Sequence, residues 1–190
     1  AMPERGADPI VAAAQLIMAL QTIPSRRLSP QESTVVSITQ ISGGEAINVL
    51  PDKVVLRGTF RCLNNQVRER VRGLIESYVA AQPQVSDVEG KIAWYPGYPV
   101  TTNHPAEAQK VREVASALLG ESAVIWNGNP SMASEDFACM LEACPGAYFW
   151  IGTDGETASK PLHNASYDFN DELIPHGVAL WTTLVETLLA

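Results

Sequence analysis

The stretch SGGEAINVLPDKVVLRGTFR, Ser42 to Arg61, decides how the first half of this 190-residue chain is read. It opens as a long loop, 42–52, carrying the paired glycines Gly43 and Gly44. From 53 to 61 the pattern alternates: Val54, Leu56 and Phe60 fall on one face, Val55, Arg57, Thr59 and Arg61 on the other. A period of two with one apolar face predicts a half-buried β-strand. The glycine spacing fits neither dinucleotide-binding nor phosphate-loop patterns, so the loop is not read as a phosphate cradle.

Working outward, residues 33–41 (STVVSITQI) are β-branched and predict a second strand. Upstream, Asp8 suits a helix N-cap and Pro9 the first helical position. The helix runs to about Gln21 with Ile10, Ala14, Ile17 and Leu20 along one side, and Pro24 is expected to end it. Downstream, Val67, Val71, Leu74, Ile75, Tyr78 and Val79 recur at helical spacing over 65–82, and 88–95 (VEGKIAWY) reads as a strand. The order is α-β-β-α-β. A split βαβ layout reads β-α-β-β-α-β, so the first strand is missing and the chain is expected to begin mid-domain. Pro96, Gly97 and Pro99 mark a boundary, giving units 1–96 and 97–190.

In the second part, Pro105 starts a helix with Val111, Val114, Leu118 and Leu119 inside and Gly120 closing it. Residues 123–127 and 147–153 read as short strands. Ser134 is expected to cap a short helix with Glu135 and Asp136 in its first turn. A last helix is expected from about Asp171 to Leu189, with Leu173, Val178, Trp181, Val185 and Leu188 on its apolar side.

Composition sets limits. A net charge of -8 with no basic run disfavours nucleic acid and anionic lipid. No window approaches 18 uncharged apolar residues, so no membrane span is expected. The first 25 residues carry Glu4, Arg5 and Asp8 and show no signal-peptide pattern, which reads as cytoplasmic. Cys62, Cys139 and Cys144 form no CxxC and read as ordinary thiols in a reducing compartment. The sequon at 164–166 reads as chance. Ala1 ahead of Met2 is either a cloning remnant or the sign of a cut from something longer.

Three groups of residues could carry chemistry. His163, in PLHNASYDFND (161–171), sits in a loop where an imidazole can face a cleft, with Asp168 or Asn170 at hand to orient it. It reads as a metal ligand or as an ordinary loop histidine, and a catalytic zinc needs three protein ligands. His104 and His176 read as structural. In SMASEDF (131–137) no GxSxG elbow surrounds Ser134, so a serine nucleophile is disfavoured. A helix start there that binds a polar ligand group fits better. Finally, Asn48 and Arg61 could together hold a carboxylate, since a loop and an adjoining strand can meet. They read equally as a turn residue and a surface ion-pair partner.

Taken together, AMPERGADPIVAAAQLIMALQTI, SGGEAINVLPDKVVLRGTFR, MASEDFA, PGAYFWIGT and PLHNASYDFNDELIPHG resemble the amidohydrolase branch of the aminoacylase and hippurate hydrolase metallopeptidase family. The resemblance runs nearly end to end but covers only the later half of such an enzyme. It implies an α+β chain. Residues 1–96 would be most of a ferredoxin-like lid, lacking its first strand, through which such enzymes form homodimers. Residues 97–190 would be the C-terminal part of an α/β zinc-peptidase-like catalytic domain. It also implies that His163 is the last ligand of a two-metal site (Zn, Mn, Co or Ni), whose other ligands and general-base glutamate lie upstream.

Asn48 and Arg61 would serve the carboxylate of an N-acyl amino acid, reaching a site in the partner subunit. Ser134, Glu135 and Asp136 would line the cleft, with Ala133 where glycine is common. In the whole enzyme two divalent ions would polarise the amide carbonyl and acidify a bound water. The chain alone is expected to hold no metal tightly and to be inactive; a further reading has the missing half present as a separate partner chain. The alternative is a non-catalytic dimerisation or ligand-binding remnant.

Overall fold

A computed structural model describes residues 2–153 and 160–189; Ala1 lies outside the described residues. The chain forms two compact units, Ala1–Val100 with Pro130–Ser134, and Thr101–Asn129 with Glu135–Ala190. No described helix is long and apolar enough to cross a membrane.

The first unit opens with α1, Pro9–Thr22, where the Asp8 carboxylate accepts from the N–H groups of Ile10 (2.9 Å) and Val11 (3.2 Å). Pro24 does not end this helix. Ile23–Arg27 continues as a π turn. The wider ring leaves room for the pyrrolidine that an α turn would clash with. The Ser25 hydroxyl donates to the Gln21 carbonyl at 2.9 Å.

Strand β1, Thr34–Ser42, pairs antiparallel with β2, Val55–Cys62, from Thr34↔Cys62 at one end to Ser42↔Val55 at the other. The register shifts between Ile38 and Gln40, so Thr39 is the extra residue of a bulge. Opposite the bulge stands Gly58, where a Cβ would run into the Ser37 carbonyl oxygen and Ile38. Only a residue without a side chain allows that approach.

Helix α2, Asn65–Ala80, is capped by Asn64, whose side-chain oxygen accepts from Gln66 N (2.7 Å) and Val67 N (3.3 Å). Its Val67 and Val71 bury against Leu20, Ile23, Leu28 and Val36, with Ile38, Phe60 and Cys62 packed on the same cluster. A short α3, Gln82–Ser86, ends at Asp87 in the left-handed region (φ 53°).

The strand expected over 88–95 does not form. The segment instead lies along α2. Gly90 sits close enough to Val79 that a Cβ would fall 2.6 Å from its side chain. Trp94 packs edge-on to Phe60 (5.8 Å between ring centroids) and donates to Glu76 at 2.9 Å. A strand needs a ladder, and the only sheet among the described residues is the β1–β2 pair.

The second unit is built on α4, Pro105–Leu119, and α6, Leu173–Leu189. Val114 and Ala115 pack on Leu180 and Leu184, with Val111, Val124 and Phe149 against them. The buried side of α6 is therefore Leu180 and Leu184; Val178, Trp181, Val185 and Leu188 remain more than half exposed. The helix is apolar on both sides, and α4 covers only one of them. On α4 itself, Leu118 and Leu119 are partly exposed.

Residues 123–127 and 147–153 are extended or turned but join no ladder. Helix α5 is Phe137–Ala143, two residues later than a Ser134 cap would place it.

Candidate functional site

Arg61 lies opposite Val35, near the Thr34↔Cys62 end of the hairpin. Its guanidinium donates through Nη1 to the Met132 carbonyl at 3.0 Å, tying the returning segment 130–134 to the first unit. Asn48 is exposed in the connection beyond the Ser42↔Val55 end. The ladder from Val55 to Arg61 spans about 20 Å at a strand's usual rise. The register thus sets Arg61 about a strand's length from the end of the ladder at which the Asn48 loop begins.

A groove of about 360 Å³ opens at the Arg61 end, lined in part by Glu32, Asn64 and Arg70. Arg70 is already engaged there, by Glu32 at 3.3 Å and the Arg27 carbonyl at 2.8 Å.

In the SEDF segment, Ser134 is exposed and makes no capping bond; Asp136 occupies the cap position of α5, also without a side-chain cap. Glu135 does the positioning. One of its oxygens accepts from the Phe137 N–H (3.4 Å), the other from the Tyr148 hydroxyl (3.1 Å). Hydrogen bonding with the Asp136 side chain, then with Phe137 N–H and Tyr148, holds the Glu135 carboxyl below the ordinary carboxylate value. Tyr148 moves the other way: burial first, then its bond to Glu135, raises its phenol above the usual value.

Tyr148 is itself anchored. Asn103 donates to its carbonyl and accepts from its N–H, both at 2.8 Å. Beside it, His104 N–H donates to the Gly146 carbonyl (3.0 Å), and His104 Nδ1 accepts from Gly146 N–H (3.2 Å). His104 is thus structural, as the sequence suggests. Asn103 and Tyr148 were not among the residues singled out by sequence. The available signal was Tyr148 itself, since a half-buried tyrosine seeks a partner for its hydroxyl.

His163 stands at the centre of a turn closed by Asn164 N–H to the Pro161 carbonyl (3.1 Å). Its backbone is left-handed (φ 69°) and the residue is exposed. Asp168 and Asn170 do not hydrogen-bond to it; Asn170 instead accepts from Glu172 N–H at 3.1 Å, at the entry to α6. Among the described residues no three His, Cys, Asp or Glu side chains gather as a metal site. One imidazole does not meet a catalytic ion's requirement for several protein ligands, so this chain's described residues do not by themselves fit a metal centre.

Residues 4–187 match the model of peptidase family M20/M25/M40. The chain belongs to that family. Among curated relatives of this M20-family chain, the hippurate hydrolase of Campylobacter jejuni is 37% identical over 182 residues, 96% of this chain and 47% of the relative. The N-acetyl-L-cysteine deacetylase of Bacillus subtilis is 38% identical over 159 residues, 82% of this chain and 37% of the relative. A solved structure, a dinuclear metal-binding M20 peptidase from Bacillus subtilis, superposes with a TM-score of 0.80 at 25% identity, covering 98% of this chain and 47% of that one. The chain spans about half the length, or less, of these relatives, and the family is the one its motifs resemble.

Proposed function

We propose that this M20-family chain is the later half of a metal-dependent amidohydrolase that cleaves the amide bond of an N-acyl amino acid. The similarity that carries this reading is to a hippurate hydrolase and an N-acetyl-L-cysteine deacetylase, matched across 96% and 82% of the chain. In this reading residues 1–96 are a lid lacking its first strand. That accounts for 88–95, which would be the strand that pairs with it.

His163 supplies one donor to a two-ion centre completed by residues outside this sequence. Its exposed turn leaves the imidazole free to do so. Arg61 offers a guanidinium fork to a carboxylate. Asn48 acts with Arg61 on the substrate carboxylate, reaching a site in the second subunit of a lid-mediated homodimer. Ser134, Glu135 and Asp136 line the cleft, with Glu135 held in one orientation by Tyr148. A reducing, cytoplasmic setting suits the three free thiols.

The test is direct. The purified 190-residue chain, supplied with Zn, Mn, Co or Ni, is incubated with hippurate and N-acetyl amino acids, and bound metal is measured by mass spectrometry. The expected outcome is no hydrolysis and well under one tightly bound ion per chain. Hydrolysis at ordinary enzyme rates would refute the half-enzyme reading. Hydrolysis by a polypeptide of full family length that survives His163→Ala with its metal content intact would refute the assigned ligand.

A further inference from the structure

Eight asparagines occur in the chain, and seven meet an obstacle that the eighth does not. The Asn64 side chain caps α2, Asn103 grips Tyr148, Asn164 accepts from Ser166 N–H at 2.9 Å, and Asn170 accepts from Glu172 N–H. Asn65 stands in the first turn of α2. Asn48 precedes the β-branched Val49, and Asn129 precedes Pro130, which has no backbone N–H. Asn127 alone precedes a glycine. It is exposed, in a turn outside every described helix and strand, and its side-chain amide makes no hydrogen bond to a described residue.

The Asn127 backbone is left-handed (φ 58°), which asparagine accepts more readily than most residues. Gly128 leaves its own nitrogen unscreened, because it has no Cβ. Nor does packing require glycine there. A Cβ at 128 would meet only the Ile125 side chain, at 3.5 Å, an ordinary contact. A backbone nitrogen reaches the preceding side-chain carbonyl only when the intervening bond rotates. In a helix or a ladder that rotation breaks several hydrogen bonds; in an exposed turn it gives up few.

We propose that Asn127–Gly128 is a self-modification site, where the chain converts its own asparagine to aspartate and isoaspartate. The Gly128 nitrogen, giving its proton to solvent base, attacks Asn127 Cγ. The new N–Cγ bond closes a five-membered imide, the Cγ–Nδ2 bond breaks, and ammonia leaves with a proton from solvent. Water then opens the ring. Addition at Cγ gives aspartate. Addition at the main-chain carbonyl gives isoaspartate, in which the chain runs through Cβ and Cγ and is one methylene longer. Nothing is oxidised or reduced; one water enters, one ammonia departs, and the chain gains a negative charge. The reaction needs no metal, no substrate and no second chain. The added charge and length fall just ahead of Pro130–Ser134, the segment whose Met132 carbonyl Arg61 holds.

To test this, the folded 190-residue chain is held at 37 °C and pH 6, 7 or 8, and its peptides are mapped by mass spectrometry over time. Residue 127 is expected to gain about one mass unit, located by fragmentation, and to appear as separable aspartyl and isoaspartyl peptides. The rate should exceed that at every other asparagine by at least about tenfold and rise with pH, as base removes the Gly128 proton. Asp154–Gly155, outside the described residues, can rearrange through the same imide but without a change of mass, so the two sites are told apart. Gly128→Ala, which the packing admits, should slow the gain at least about tenfold, and Asn127→Ser should abolish it. Four results overturn the proposal: an Asn127 that changes in urea but not in the folded chain, another asparagine that changes as fast, an undiminished rate in Gly128→Ala, and aspartate formed with no isoaspartate, which would mean direct hydrolysis without the imide.

Discussion

Asn103 grips Tyr148 by both backbone groups, donating to its carbonyl and accepting from its N–H at 2.8 Å each. The side-chain amide takes the place of a neighbouring strand. Replacing Asn103 with Ala removes both bonds and is expected to cost about 1–2 kcal/mol, since each net bond contributes about 1 kcal/mol. Asn103→Asp, which keeps the acceptor and loses the donor, should fall between. Urea unfolding checks the order, and exchange at the Tyr148 amide checks the site.

Tyr148→Phe tests the link from that anchor to the SEDF acid. Glu135 is held below its ordinary value of 4.5 by Asp136, Phe137 N–H and Tyr148. A depressed carboxyl stabilises the folded chain above its ordinary value, and this stabilisation fades as pH falls through the folded value. Removing the phenol should move the Glu135 titration back towards 4.5, and Asp136→Ala, which removes the largest cause of the lowering, should move it further. Carboxyl carbon shifts recorded against pH by NMR would show both. An unchanged Glu135 titration in Tyr148→Phe would mean the hydroxyl does not hold the acid.

At Gly58 the expectation is steric. An alanine methyl would meet the Ser37 carbonyl oxygen across the hairpin. Gly58→Ala should therefore destabilise the first unit by about 1–3 kcal/mol, the range for overpacking, although alanine ordinarily favours a strand at least as well as glycine. The same change at Gly73, on α2 with nothing within 4 Å of a Cβ, should be neutral or stabilising. Chemical denaturation of the two variants side by side makes the comparison.

Cys62 should be the slow thiol. Burial raises its pKa above 9.0, only partly offset by the Thr34 hydroxyl and the Arg68 charge. Because the raised value favours the neutral thiol in the folded state, its contribution is complete below the unfolded value and is lost as pH rises through the folded one. At pH 8, iodoacetamide should label the exposed Cys139 and Cys144 several-fold faster than Cys62. Peptide mass mapping over time would reveal it.

The helices were legible because their signals are local. Asp8, Pro105 and Gly120 act within one turn of the chain, and Val67 and Val71 report α2's buried face by spacing alone. The strand-like segments 88–95, 123–127 and 147–153 were not, because a ladder depends on a neighbour that sequence spacing does not supply. Pro24 misled for a related reason: its missing N–H rules out an ordinary α turn but not the wider one that forms. At the site, Arg61 was found as a residue type, yet only the structure shows that its guanidinium is engaged by the Met132 carbonyl. Tyr148 and Asn103 escaped notice because their partnership joins positions 45 residues apart.

The Arg61–Met132 bond has a consequence for anyone who would dissect the molecule. The segment Pro130–Ser134 belongs with Ala1–Val100, though Thr101–Asn129 of the other unit separates them in sequence. A stop codon or a protease cut near position 100 would strip the first unit of a piece of its own body and leave the Arg61 guanidinium without its carbonyl. Whole excision requires residues 130–134 to be carried along, spliced on by a short bridge. A truncation that ignores them would measure damage rather than autonomy.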